Sequence, residues 1–350
     1  MQNGQKIGLT MLTAIVFSSM VGAGIFSLPQ NMAEVAGVNA IITAWIITGV
    51  GILFLAGCFL HLSRLKPELD GGIYTYAKTG FGDLAGFFSA WGYWLCATVG
   101  VVGYLVVAFT ALGSFIDTPE GIVFGEGNTI WALVGESIIL WLVHYLVIRG
   151  VKQAAFINLL ATLAKSLPLI AFIIFAYLTF DMQTFNADRA GTTLDVPFME
   201  QVKGTMLITL WVFTGIEGAI VLSQRAKRRA DIGRATYIGV LCALVLYVAI
   251  TLLSLGVMSR MDVASLTNPS MAGIMAQMTG SMGKWVISIG LLSELVSLFC
   301  RSTLYRSQAQ CLSAHLYQAE RARHANSITD ANELDSAAVL ADDLFDGQRL

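Results

Sequence analysis

A glycine pair, Gly22 and Gly24, sits in the middle of the first long apolar stretch of this chain, and a second glycine break at Gly215 interrupts its sixth. A segment surrounded by lipid has to satisfy every backbone amide and carbonyl internally, so membrane-crossing chains are restricted to helices and closed barrels. Breaking two such helices is tolerable where the released groups face a ligand or a water-filled cavity. The two breaks therefore predict a solute pathway through a helical membrane protein.

Reading for runs of about 20 apolar residues gives eight spans, at Leu9 to Leu28, Asn39 to His61, Ala85 to Leu112, Ile130 to Ile148, Phe156 to Phe180, Met206 to Leu222, Tyr237 to Met258 and Trp285 to Cys300. With 13% charged residues and 56% hydrophobic ones, the chain lies far from soluble averages. The expected fold class is all-α integral membrane.

The connections alternate in charge. Arg64, Lys66 and Lys78 follow span two, Arg149 and Lys152 follow span four, and Arg225, Lys227, Arg228, Arg229 and Arg234 follow span six. The other connections are acidic or neutral, so the positive-inside rule places the N-terminus, and with eight spans the C-terminus, in the cytoplasm of a cell (inner) membrane. The cluster from Arg225 to Arg229 also admits a lipid- or nucleic-acid-binding reading, but topology accounts for it more simply. The leader Met1 to Lys6 has no convincing cleavage site and runs into a stretch too long for a signal peptide, so the first helix is expected to stay. Cys58, Cys96, Cys242, Cys300 and Cys311 show no paired spacing and read as small buried hydrophobes. No nucleophile elbow, metal constellation or phosphate loop occurs, which counts against an enzyme and calls for no cofactor or metal.

After Cys300 hydropathy collapses. Residues 1–300 form the expected transmembrane core, and 301–350 a polar cytoplasmic tail ending in Asp342, Asp343 and Asp346. One explanation is a regulatory tail with helical fragments around Ala309 to Arg323 and Ala337 to Phe345. The favoured one is loss of the reading frame of a longer protein near Leu292 to Cys300, leaving a tail never selected to fold.

In span one, Ser18-Ser19-Met20-Val21-Gly22-Ala23-Gly24-Ile25-Phe26 puts small residues where backbone would leave helical geometry. Amides at the start of the second half-helix attract an anion such as an α-carboxylate. The plainer alternative is a small-residue packing face. In span six, Gly215 and Gly218 bracket Ile216 and Glu217, and carbonyls released at Phe213 and Thr214 would suit an α-ammonium group. Glu217 costs roughly 2.5–3.5 kcal/mol at a helix centre on insertion scales, which makes it a functional candidate; capping loose backbone is its structural alternative.

Lys165 lies about 14 Å along a helix starting near Phe156. It either snorkels to the cytoplasmic surface or faces the cavity, where its ammonium bonds carbonyls released by the first break. Trp211 and Tyr93 are placed to hold a cationic side chain by cation–π contact, although each would equally serve as packing. Glu136 and His144, eight residues apart, read as bundle-interior or interface groups on nearly one face.

The strings Gly22-Ala23-Gly24-Ile25-Phe26-Ser27-Leu28-Pro29-Gln30-Asn31, Asp70-Gly71-Gly72-Ile73-Tyr74-Thr75-Tyr76-Ala77 leading to Phe81-Gly82, and Trp211 to Glu217 resemble the basic amino acid/polyamine antiporters of the amino acid–polyamine–organocation superfamily. The resemblance covers roughly residues 5 to 290. It is strongest to the arginine/ornithine antiporters, through Gln30-Asn31 and Leu222-Ser223-Gln224-Arg225-Ala226-Lys227. The resemblance implies a leucine-transporter-type fold of two inverted five-span repeats plus two helices, here truncated to about eight helices with helices 1 and 6 discontinuous. By position it implies substrate binding by Gly22, Ala23, Gly24, Ile25, Tyr93, Trp211, Thr214 and Gly215. Glu217 would be a gate, and Lys165 would stand in for a sodium ion. Ser293-Glu294-Leu295 departs from the pattern, and spans nine to twelve are missing, so transport activity is expected to be impaired.

Three functions follow in order of preference. The first is exchange of arginine for ornithine by alternating access. The second is proton-coupled amino acid uptake with Lys165 or Glu217 titrating, and the third a non-transporting membrane sensor or scaffold. The expected partners are small cationic amino acids and the lipid bilayer, with no nucleic acid; a homodimer is compatible with the sequence.

Overall fold

The computed structural model describes residues 7–66, 68–69, 72–118, 121–149, 154–221, 226–228 and 230–293. The tail from 301, Cys300, Cys311, the end of the eighth apolar run and Arg225 and Arg229 of the basic cluster lie outside them. Among the described residues all regular structure is helical, apart from two isolated bridges, Ile7 with Ala226 and Thr118 with Gly121.

In chain order the helices are α1 (Leu9–Met20), α2 (Gly24–Val35), α3 (Val38–Leu65), α4 (Ile73–Phe81), α5 (Asp83–Ile116), α6 (Ile130–Arg149), α7 (Ala154–Leu178), α8 (Met182–Asn186), α9 (Phe198–Val212), α10 (Gly218–Val221), α11 (Ala230–Val257), α12 (Arg260–Ala264), α13 (Ser270–Thr279) and α14 (281–293). Of the eight expected runs, α3, α5 and α11 are each long and apolar enough to cross a bilayer, and α1 with α2 qualifies as a pair bent by 45°. The stretches Ile130–Tyr145 and Thr162–Leu178 are apolar but shorter, and the sixth run is divided between α9 and α10. Helix α11 begins seven residues before the expected Tyr237, because Asp231 in its first turn complements the positive helix end.

The core forms where α11 packs along α1 and α3, and α3 along α9. Several buried hydroxyls are hydrogen-bonded within it. Thr48 of α3 bonds Thr209 of α9 at 2.7 Å, while Thr251 and Ser254 donate to carbonyls four residues back in α11. Helix α2 carries Pro29, whose ring disturbs the adjacent ladder. Ser270 of α13 enters the gap: its hydroxyl donates to the Phe26 carbonyl and accepts from the Gln30 amide, both at 3.3 Å.

A polar clasp holds the far end of α2. Buried Arg260 donates to the Ala33 carbonyl at 2.6 Å, to Asp188 at 2.5 Å and to the Thr193 hydroxyl. Burial pushes the Asp188 carboxyl up, but bonds from Thr193 and Arg260 and the Arg260 charge outweigh it and hold the group below the usual carboxylate range. Its stabilisation is therefore complete above the unfolded-state value near 3.9 and is lost as pH falls through the lowered folded value. Arg260→Ala removes the counter-charge of the largely buried Asp188 carboxylate and a donor to the Ala33 carbonyl, at a cost of about 3 kcal/mol. Thermal unfolding in detergent at neutral pH should show a midpoint several degrees lower than wild type, with the gap closing as the pH drops below that of free carboxylates.

Candidate functional site

The first break is a short non-helical link. Helix α1 stops at Met20, Val21 adopts φ −75° and ψ 82°, and the Gly22 amide turns back to the Met20 carbonyl at 2.8 Å before α2 starts at Gly24. The last carbonyls of a helix have no intrahelical donor. Here Val21 N–H takes the Phe17 carbonyl, and fully buried Lys165 donates to the carbonyls of Ser18 at 3.1 Å and Val21 at 2.6 Å. Lys165 thus meets the carbonyls anticipated for it. It does so from behind the break, and it is not among the residues lining the cavity.

The second break follows Val212. Gly215 has φ +110°, where a Cβ would also sit 2.4 Å from the Ser19 carbonyl oxygen, so both its conformation and its surroundings require glycine. The Phe213 carbonyl, expected to be released, instead accepts the Ile216 amide at 3.3 Å. The Val212 carbonyl accepts from the Tyr247 hydroxyl at 2.9 Å, and the Gly215 carbonyl accepts from Ser19 at 2.8 Å. Turn geometry satisfies part of the backbone that a straight-helix argument leaves open. Ser19 therefore ties the two breaks directly to each other.

Between the breaks lies a cavity with about 700 Å³ of empty space, counting its open side. Of the ten residues anticipated, seven line it: Gly24, Ile25, Tyr93, Trp211, Thr214, Gly215 and Glu217. Gly22 and Ala23 form the link beside it without lining it. Both glycines of the first break have a role beyond backbone freedom. A Cβ on Gly24 would lie 2.4 Å from the Trp211 ring, and one on Gly22 would lie 2.3 Å from the Tyr104 hydroxyl oxygen. They are where aromatic side chains close on the backbone.

Ser19, Cys96, Tyr104 and Tyr247 also line the cavity and were missed. Apolar neighbours disguise Tyr104 and Tyr247 as span residues, and neither falls in a glycine-rich string. Tyr247 stacks on Trp45, with ring centroids 6.2 Å apart, and meets Phe213 edge-on at 5.4 Å. This aromatic group supports the second break. Glu136 and His144 do not share a face: Glu136 is buried, whereas His144 is exposed and meets Trp141 edge-on at 5.7 Å. Eight residues at 100° each leave them about 80° apart.

A strongly apolar chain whose described residues form helices, with a cavity where two of them are interrupted, fits the membrane transporter class. The amino acid permease family matches residues 7–300, and the chain belongs to that family. A "Putative arginine/ornithine antiporter" of Escherichia coli (strain K12) is 54% identical over 310 residues, covering 89% of this chain and 67% of that protein. The arginine/ornithine antiporter of Pseudomonas aeruginosa PAO1 is 49% identical over 297 residues, covering 84% and 61%. The arginine/agmatine antiporter of Chlamydia abortus is 42% identical over 309 residues, covering 87% and 63%. The chain spans about two thirds of the length of these relatives.

Proposed function

We propose that this chain binds basic amino acids in the cavity between the two breaks and exchanges arginine for ornithine across a cell membrane by alternating access. The observation that carries the reading is the meeting of the α1–α2 link and the α9–α10 link at one cavity containing a buried acid, Glu217, and an aromatic, Trp211. The positive end of α2 suits a carboxylate. Glu217 and the ring of Trp211 suit a side-chain cation. In this reading α1–α2 and α9–α10 are discontinuous spans of an inverted-repeat fold, and Lys165 locks the first break in place of a sodium ion. The alternating loop charges support a cytoplasmic N-terminus, a core of residues 1–300 and a cytoplasmic tail beyond it.

Equilibrium binding to the purified chain tests this. Arginine should bind saturably and be displaced by ornithine, and the absence of any binding would overturn the proposal. Reconstituted exchange should not respond to membrane potential because the two charges are equal, whereas potential-driven uptake would favour the proton-coupled reading. Glu217→Gln removes the cavity's negative charge, so binding of arginine and ornithine should weaken together by roughly 10- to 100-fold. Wild-type affinity in that variant would show that Glu217 serves only the backbone of the turn.

A further inference from the structure

Among the described residues no lysine, arginine or histidine lines the cavity, and the carboxylate there, Glu217, repels an anion. A substrate carboxylate there depends on amides of the α2 start and on hydroxyl donors. Of these hydroxyls, Ser19 donates to the Val16 or Gly215 carbonyl and Tyr247 to the Val212 carbonyl. Lys165, which does not line the cavity, donates to the Ser18 and Val21 carbonyls.

Tyr104 differs from them in position. It lies on α5, lines the cavity, and brings the hydroxyl end of its ring against Gly22, close enough that a Cβ there would stand 2.3 Å from the oxygen and 2.8 Å from Cζ. Its hydroxyl is thereby held at the α1–α2 link, where the α2 amides begin. A hydroxyl proton turns toward the strongest acceptor in reach, and an ionised carboxylate surpasses any neutral carbonyl.

We infer that Tyr104 is a specificity-determining residue, a carboxylate-reading hydroxyl that makes the site favour α-amino acids over the corresponding decarboxylated amines. The inference rests on the basic amino acid reading and refines it. Without the Tyr104 donor, the α2 amides would be left to distinguish arginine from agmatine with less help, since the two share their positive charge.

The test compares arginine, ornithine, agmatine and arginine methyl ester as ligands of the purified full chain and of Tyr104→Phe, which keeps the ring against Gly22. Wild type should prefer arginine over its methyl ester and over agmatine by about tenfold. In Tyr104→Phe, arginine and ornithine should weaken about tenfold, while agmatine and the ester change less than about twofold. The wild-type contrast stands even if the variant folds poorly. Equal weakening of all four ligands, unchanged arginine binding, or a wild type indifferent to the carboxylate overturns the role of Tyr104 and leaves the parent reading in place. A wild type that binds none of them overturns both.

Discussion

Replacing Lys165 by methionine is expected to abolish arginine binding and to lower the thermal midpoint of the chain more than any other single change in the site. The side chain is fully buried, and its ammonium holds the carbonyls of Ser18, in the last turn of α1, and of Val21, the first residue of the link. Methionine matches its length but donates nothing. Each buried carbonyl left without a donor costs about 1–3 kcal/mol, so the pair costs about 2–6 kcal/mol. The chain can recover part of this by rewinding α1 into α2 across Val21 to Ala23, and a rewound helix withdraws the α2 amides from the cavity. The checks are detergent melting curves and arginine binding on the same preparation. A stable Lys165→Met chain with wild-type affinity would show that the break is fixed by its glycines and not by the ammonium.

Gly24→Ala is expected to reduce arginine affinity by at least 10-fold with little loss of stability, through a single methyl group. The added Cβ would stand 2.4 Å from Cζ3 of Trp211, inside any tolerable contact. Trp211 is half exposed to the open side of the cavity, so its ring can swing away, and the collision is relieved by moving the aromatic wall out of the site. Relief by a side chain costs less than relief by backbone, which is why binding and not folding should register the change. Coupling between the two positions distinguishes this from a general helix defect. In a Trp211→Leu background, already weakened by loss of the ring, Gly24→Ala should add almost nothing. Additive losses in the double variant would remove Trp211 from the explanation.

Much of the scaffold was legible along the chain. The apolar runs located both ends of α3 and α5 and the C-terminal end of α11 to within a few residues, because a lipid-crossing helix needs about 20 residues that avoid charge, and that requirement is written in composition alone. The glycine-rich strings located both links, Val21 to Ala23 and Phe213 to Glu217, because only small residues or a positive φ permit them. The boundaries were less legible. Helix α9 starts at Phe198, well before the expected Met206, since Glu200 and Lys203 pair across one turn at 2.7 Å on an exposed surface and do not interrupt the helix.

The sequence by itself determined that this is a helical membrane protein of the amino acid permease family, with a lysine and an acid in its apolar spans and two places where the backbone has to yield. Local rules suffice for that, since lipid enforces them residue by residue. Only the tertiary structure decided that Lys165 stands behind the first break and not in the cavity, that Ser19 joins the breaks, and that Tyr104 and Trp211 close onto Gly22 and Gly24. Those facts depend on which faces of α1, α5, α7, α9 and α11 meet. Helices of nearly uniform hydrophobicity carry little record of that choice, because packing in lipid selects shape and hydrogen bonding over polarity.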